Sequence, residues 1–275
     1  MFLNEIIELK KKRLLIAKQN RNFGELKQSA IAKRATAKSH RLRSVLQRNQ
    51  TNIIAEFKRA SPSKGVINDK IDIAEISVSY EKGGACAISI LTEEDRFRGS
   101  LDDLKTARSV IKLPILRKDF IFDEFQVYES AEAGADAILL IAAMLDDETL
   151  LRLYNLAERD LGLDALVEVH TLEELEKVKK FNAKIIGVNN RDLHSFVVSL
   201  DVSRELIKHA PTDALMISES GLRVREDLLE LKSLGFSGFL IGETLMKSGD
   251  AKKSLESLGT LESLESLESR KETTS

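Results

Sequence analysis

With 275 residues, 43% of them hydrophobic and 31% charged, the chain can bury a substantial core and has room for one α/β barrel or two smaller domains. No run of about 18 apolar residues occurs, which excludes a membrane-spanning helix. The single cysteine, Cys86 in "GACAISI", excludes an internal disulfide and reads as a small buried hydrophobe in a reducing cytoplasm. In chain order, the start "MFLNEIIELKKKR" lacks the apolar centre of a signal peptide, and Glu5 and Glu8 argue against a transit peptide. The net charge of −2 is uneven: residues 1–50 hold 13 Lys+Arg against 3 Asp+Glu, and the rest 29 against 41. In that segment basic residues alternate with helix-forming apolar ones, and only Phe2 and Phe23 are aromatic. The pattern is that of two or three amphipathic helices, not of a nucleic-acid-binding arm.

After residue 50 short apolar runs recur: "IIAEF" (53–57), "AISIL" (87–91), "LPILRKDF" (113–120), "AILLIA" (137–142), "ALVEV" (165–169), "IIGVNN" (185–190), "LMISES" (215–220) and "FLIGE" (239–243). Their starts lie 20 to 34 residues apart. Helical patterns fill the gaps, among them 123–135, 146–162 and 225–235, and Gly83, Gly134, Gly162 and Gly235 stand where helices end. Strand and helix alternating at this spacing make parallel βαβ units. Eight of them predict a (β/α)8 TIM barrel, with an open doubly wound sheet as the alternative, and neither GxGxxG nor GxxxxGK[ST] is present to favour the latter. The expected organisation is a helical extension (1–50) over the barrel mouth, a catalytic barrel (51–250) and a low-complexity tail (251–275). Leucines at 255, 258, 261, 264 and 267 repeat every third residue, a spacing that spirals round a helix, so the tail reads as disordered.

Charge sits in strands that otherwise look buried. In "IIAEFKRASPSKG" (53–65), Glu56 and Lys58 share one face of the first strand. Lys118, Glu168 and Glu219 occupy the ends of strands three, five and seven, and Asn189 with Arg191 ends strand six. In a barrel the C-terminal ends of all strands meet at one mouth, so five charged groups converge there. Gly221 and Gly242 follow strands seven and eight, where barrels bind phosphate through backbone N–H groups, and Glu243 must then turn its side chain away from the dianion. His40, His170, His194 and His209 lie too far apart for a metal ligand set, and His170 reads as a structural or rim residue. Ser218 and Ser220 lack a GxSxG elbow.

The segments "IIAEFKRASPSKG", "LRKDFIFDEFQVYES", "LVEVH", "IGVNNRDL" and "ISESGL" together resemble the signature segments of the indole-3-glycerol-phosphate synthase family, in order and spacing, from about residue 50 to about 248. The resemblance implies conversion of 1-(2-carboxyphenylamino)-1-deoxyribulose 5-phosphate to indole-3-glycerol phosphate with loss of carbon dioxide and water. It implies no cofactor and no metal, a phosphorylated small molecule as the only partner, and a monomer or homodimer in the cytoplasm. Lys118 would be the general acid, its pKa lowered by the neighbouring cation Lys58, with Glu56 holding both lysines. Glu168 would be the base of the dehydration and Lys58 its proton source. Asn189 and Glu219 would orient hydroxyls, and Arg191 would take the substrate carboxylate. Ser61, Ser220, Gly221, Gly242 and the N–H of Glu243 would hold phosphate, while Pro62, Phe120, Leu140 and Leu193 would line an apolar side. Rivals are another phosphosugar isomerase or epimerase, a Schiff-base aldolase acting through Lys58 or Lys118, and a phosphate-binding barrel with a nucleic-acid-binding arm.

Overall fold

The computed structural model describes residues 2–62 and 65–259. Eight parallel strands close into a barrel: β1 (Ile53–Phe57), β2 (Ala87–Leu91), β3 (Ile115–Lys118), β4 (Ala137–Ile141), β5 (Asp164–Val169), β6 (Ile185–Asn189), β7 (Leu215–Glu219) and β8 (Gly238–Ile241). Closure is explicit at β1, where Ile54 pairs with Ala87 of β2 on one side and Leu240 of β8 on the other. All eight expected runs are strands. Their near-continuous apolar character follows from burial on both faces. Inward residues such as Leu116, Leu139, Leu166 and Ile217 fill the barrel, and outward ones such as Phe57, Ile90, Leu140 and Val167 pack under the helices. Each such side chain contributes about 1.5–3 kcal/mol by leaving water.

Helices return the chain between strands. They are α4 (Ile73–Lys82), α5 (Leu101–Val110), α6 (Glu124–Ala133), α7 (Asp147–Asn155), α8 (Leu172–Lys179), α9 (Asp201–Leu206) and α10 (Arg225–Ser233). Most start on a side-chain cap: Asp72, Ser100, Asp123, Asp146 and Thr171 each accept a first-turn backbone N–H, a contribution of about 1 kcal/mol apiece. The helix expected over 146–162 is broken. After α7 the chain widens into a π-helix, Leu156–Asp160, which carries Glu158 inward to accept the Ala165 N–H at 3.0 Å.

The N-terminal extension covers more than the mouth. Helix α1 (Phe2–Asn20) lies across the β2 and β3 ends of the mouth, with Lys10 2.7 Å from Asp119, Arg13 2.6 Å from Asp95 and Lys18 2.7 Å from Asp123. Helix α2 (Phe23–Ala35) packs on the flank, its Phe23 ring 5.9 Å from that of Phe125 on α6. Helix α3 (Arg41–Leu46) plugs the opposite end, pushing Leu42 and Leu46 into the barrel interior beside Ile54 and Ile217. Arg41 meets Asp136 at 2.9 Å there, and Arg43 meets Asp164 at 3.3 Å and also pairs with Glu158. The basic charge of residues 1–50 is thus largely spent on carboxylates of the barrel, not left to attract substrate.

The tail also differs from expectation. A short helix α11 (Glu243–Lys247) is followed by α12 (Ala251–Gly259), in which Ala251, Leu255 and Leu258 are buried. Counted from Ala251, the spacing is i, i+4, i+7, one helical stripe, and the triplet count starting at Leu255 hides it. This stripe rests on α4 at Gly83, where a methyl group would meet Leu255 and Lys252 at 3.1 Å. Gly83 is therefore a packing glycine in right-handed conformation, and its neighbour Gly84 (φ 88°) makes the left-handed turn expected of Gly83. Residues 260–275 of the expected tail lie outside the described residues.

Candidate active site

A cavity of about 680 Å³ opens at the C-terminal ends of the strands. Glu56, Lys58, Lys118, Glu168, Asn189 and Glu219 all line it, as do Ser61, Pro62, Phe120, Arg191, Leu193, Ser220, Gly221, Gly242 and Glu243. Leu140 does not. It belongs to the outer core, and strand alternation instead turns Leu139 and Ile141 into the cavity. Helix α1 adds Leu3 to the wall.

The charges sort into two pairs. On β1, Glu56 points inward and accepts from Lys58 Nζ at 2.5 Å. The space for its carboxylate is left by Gly242, where a methyl would strike it. On β3, Lys118 reaches Glu168 Oε2 at 3.0 Å and Glu219 Oε2 at 3.3 Å. Gly187 on β6 leaves room for Glu219 in the same way. Glu56 therefore holds Lys58, while Glu168 and Glu219 hold Lys118; the expectation that Glu56 binds both lysines is not met. Asn189 donates its amide to Glu168, and its Oδ1 accepts the Arg191 N–H at 3.1 Å, which fixes the amide's orientation.

Burial and pairing set the protonation states. Burial pulls the Lys118 ammonium down, but Glu168, Glu219 and Glu56 outweigh it and hold its pKa above the ordinary lysine value. This corrects the expectation that Lys58 lowers it. Burial pushes Glu168 up, yet Lys118 and His170 bring it to about 2. For Glu219 burial wins: despite Lys118, the adjoining Glu168 and Glu56 leave it at about 8. At neutral pH the resting site therefore holds Lys118 charged, Glu168 ionised and Glu219 protonated, with Glu219 hydrogen-bonded to Glu168.

After β7 the backbone turns sharply, with Ser220 (φ 65°) and Gly221 (φ 82°) both left-handed. Left-handed geometry is costly at serine, and the turn is stapled by Asn190, whose Nδ2 donates to Glu219 O at 3.0 Å, Ser220 O at 3.1 Å and Ser218 Oγ at 3.0 Å. Asn190 went unnoticed in the sequence, although the doublet "VNNRD" puts one asparagine on each face of a strand end. Gly242 caps α11, and Glu243 pairs with Lys247 at 2.6 Å one turn along that helix. His170, expected at the rim or in a structural role, stands beside Glu168, 3.4 Å from Oε1.

A closed barrel whose mouth gathers two lysine–carboxylate pairs and glycine turns after β7 and β8 has the build of a TIM-barrel enzyme. Residues 3–258 match the family model described as indole-3-glycerol phosphate synthase. The chain is 44% identical to the indole-3-glycerol phosphate synthase of Carboxydothermus hydrogenoformans, over 94% of this chain and 99% of that protein. It is 49% identical to that of Dehalococcoides mccartyi strain CBDB1, over 78% and 83%. Among solved structures, thiamine phosphate pyrophosphorylase from Pyrococcus furiosus aligns with TM-score 0.58 at 19% identity, covering 79% of this chain and 95% of that one, a likeness of fold alone. The chain belongs to the indole-3-glycerol phosphate synthase family. Its activity is that of this decarboxylating lyase of tryptophan biosynthesis, acting on a phosphorylated substrate, and this replaces the rival isomerase, aldolase and non-catalytic readings. Among the described residues no helix is long and apolar enough to cross a membrane.

Proposed function

We propose that the ring closure and the dehydration are run by one buried lysine–carboxylate pair, Lys118 and Glu168, with Lys58 and Glu56 as the second pair. The observation that carries this reading is the 3.0 Å contact between Lys118 Nζ and Glu168 Oε2 at the floor of the cavity. The substrate's ring carbon attacks the C2 carbonyl, and Lys118 protonates the developing alkoxide. Carbon dioxide then leaves, and the electrons of its bond restore the aromatic ring. Lys118 is now neutral, so Glu168 has lost its main cationic partner and its proton affinity rises. It can then remove a proton from the methylene carbon C1 as Lys58 protonates the departing C2 hydroxyl, which leaves as water. A carboxylate too weak as a base at rest is thus made competent by the first stage. Each such group is worth about 10²–10⁴ in rate.

Ser61, Ser220, Gly221, Gly242 and the Glu243 N–H hold the phosphate in this reading, supported by the two turns that expose backbone donors. Arg191, with its guanidinium donating to Phe196 O at 3.2 Å, takes the substrate carboxylate. Pro62, Phe120 and Leu193, with Leu139 and Ile141 in place of Leu140, face the aromatic ring. Asn189 and Glu219 orient the reacting groups, and the chemistry runs without metal or cofactor. The buried Cys86, its thiol pushed up to about 12 by burial, suits an enzyme of a reducing cytoplasm, acting as a monomer or a homodimer. The test is Lys118→Ala and Glu168→Gln, each followed by indole fluorescence with a chelator present. Loss of about 10²–10⁴ in kcat with an unchanged circular dichroism spectrum is expected for each; near-normal kcat in either removes that residue's role.

A further inference from the structure

Glu168 presents its two oxygens to two different cations. Oε2 accepts from Lys118 at 3.0 Å, and Oε1 faces His170 Nε2 at 3.4 Å. His170 stands just past β5, two residues beyond Glu168, so strand alternation points both inward. Its other nitrogen is already committed: Nδ1 lies 3.2 Å from Glu174 Oε2, and that same oxygen accepts the His170 backbone N–H at 2.7 Å. Glu174 is fixed in the first turn of α8, where the Thr171 cap also holds its backbone N–H.

The chemistry of the ring follows from these contacts. An ionised carboxylate only accepts, so Nδ1 carries the hydrogen it shares with Glu174. Nε2 then has two states. Bare, it turns a lone pair on the Glu168 carboxylate; protonated, it donates to it. This nitrogen is buried and makes no hydrogen bond, and Glu168 Oε1 at 3.4 Å is the acceptor it faces. Burial pulls the imidazolium down, but Glu174, Glu168 and Glu219 together raise its pKa, which favours the donating state. The groups facing the pair are Lys118 from β3, Asn189 from β6, Glu219 from β7 and Glu174 from α8.

We propose that His170, held by Glu174, is a positioning residue for Glu168, fixing the second oxygen of that carboxylate through both stages of the reaction. The inference rests on Glu168 being the base. Once Lys118 has given up its proton, Oε2 has lost its cation, and the neutral partners Asn189 and Glu219 remain with His170 to hold the carboxylate. His170 is then the cation that still orients it toward the substrate. It also keeps the carboxylate ionised until the dehydration stage, as an adjacent positive charge does. The 3.4 Å separation is of the kind that shortens when substrate closes the site.

The experiment compares His170→Leu, His170→Gln and Glu174→Gln with Glu168→Gln in the full chain, reading kcat, KM and the pH profile of kcat. His170→Leu is expected to lower kcat about 10-fold or more, the scale on which partners of an active group act, with KM within about twofold. The acidic limb of the kcat profile should move up by about one pH unit, because Glu168 has lost a neighbouring cation. His170→Gln restores a neutral donor, so it should recover most of kcat while keeping the moved limb. Glu174→Gln tests the same chain should His170→Leu fail to fold: it weakens the histidine's charge without touching the strand, and should move the limb in the same direction. If the His170 and Glu174 variants keep the parent kcat and profile while Glu168→Gln is inactive, the positioning role is wrong and the base assignment stands. If Glu168→Gln itself turns over normally, both fall.

Discussion

The two ends of the barrel each bury a cluster of carboxylates and bases, and they are built from different cations. At the closed end Asp136 accepts from Arg41 at 3.0 and 2.9 Å, from Arg108 at 3.0 Å and from the Ile115 N–H at 3.0 Å. Asp164 accepts the Arg43 N–H at 3.0 Å. At the mouth the cations that meet Glu56, Glu168 and Glu219 are the lysines Lys58 and Lys118, with His170 beside Glu168. Guanidinium does not give up its proton and its fork fits a carboxylate, so arginine makes a permanent clasp. Ammonium can give a proton away and change the charge of its partner when it does. The difference teaches that a buried ion pair is structural or chemical according to whether its cation can be deprotonated.

That contrast makes its largest prediction at the closed end. Asp136→Asn leaves two arginines short of their partner and should cost about 3–5 kcal/mol, read as a lower denaturation midpoint, while kcat of the folded fraction stays within about twofold. A loss of kcat without loss of stability would break the division between the ends. Next in size, Leu255→Ala in α12 should destabilise by about 2–5 kcal/mol, as expected of a fully buried leucine, again with little effect on turnover. A neutral result would return this segment to the disordered tail the triplet leucines suggest.

The third prediction sharpens the mouth. Glu219 has a folded-state pKa of about 8 against an unfolded value near 4.5. The folded protein therefore holds more protons than the unfolded one between those values, so this group's contribution to stability falls as pH rises from about 4.5 to 8. Glu219→Gln should remove that slope and raise stability at pH 8.5 by about 1–2 kcal/mol, while lowering kcat, the trade expected where charge is arranged for chemistry. Denaturant titrations at pH 5 and 8.5 check it; an unchanged slope would mean that another group carries the proton. The smallest effect is expected at Gly187→Ala, which crowds the Glu219 carboxyl and should shift the basic limb of the kcat profile more than it shifts stability.

Most of the mouth was legible because strand alternation and register are arithmetic. Glu56 and Lys58, Lys118, Glu168 and Glu219 fall near the C-terminal ends of strands one, three, five and seven, and only a closed barrel brings such positions together. Leu140 was misplaced by one residue of that same alternation. What the sequence could not show is pairing across the barrel. Which carboxylate meets which lysine depends on distances between strands, so the sequence alone pairs Glu56 with Lys118 as well as Lys58 and gives the Lys118 pKa the opposite direction. The closed end stayed invisible because its partners, such as Arg41 and Asp136, are far apart in sequence and carry no local motif. Helix α12 was lost to a repetitive composition that hid a single stripe of three residues.

The central claim is that Glu168 becomes a base only after Lys118 has acted, so the two stages should separate when Glu168 alone is changed. The direct measurement is a single turnover of Glu168→Gln with the carboxyphenylamino-deoxyribulose phosphate, following released carbon dioxide and indole fluorescence in the same reaction. Carbon dioxide released well ahead of any indole signal is the predicted result. Equal slowing of both, or indole formed at the parent rate, would contradict the account.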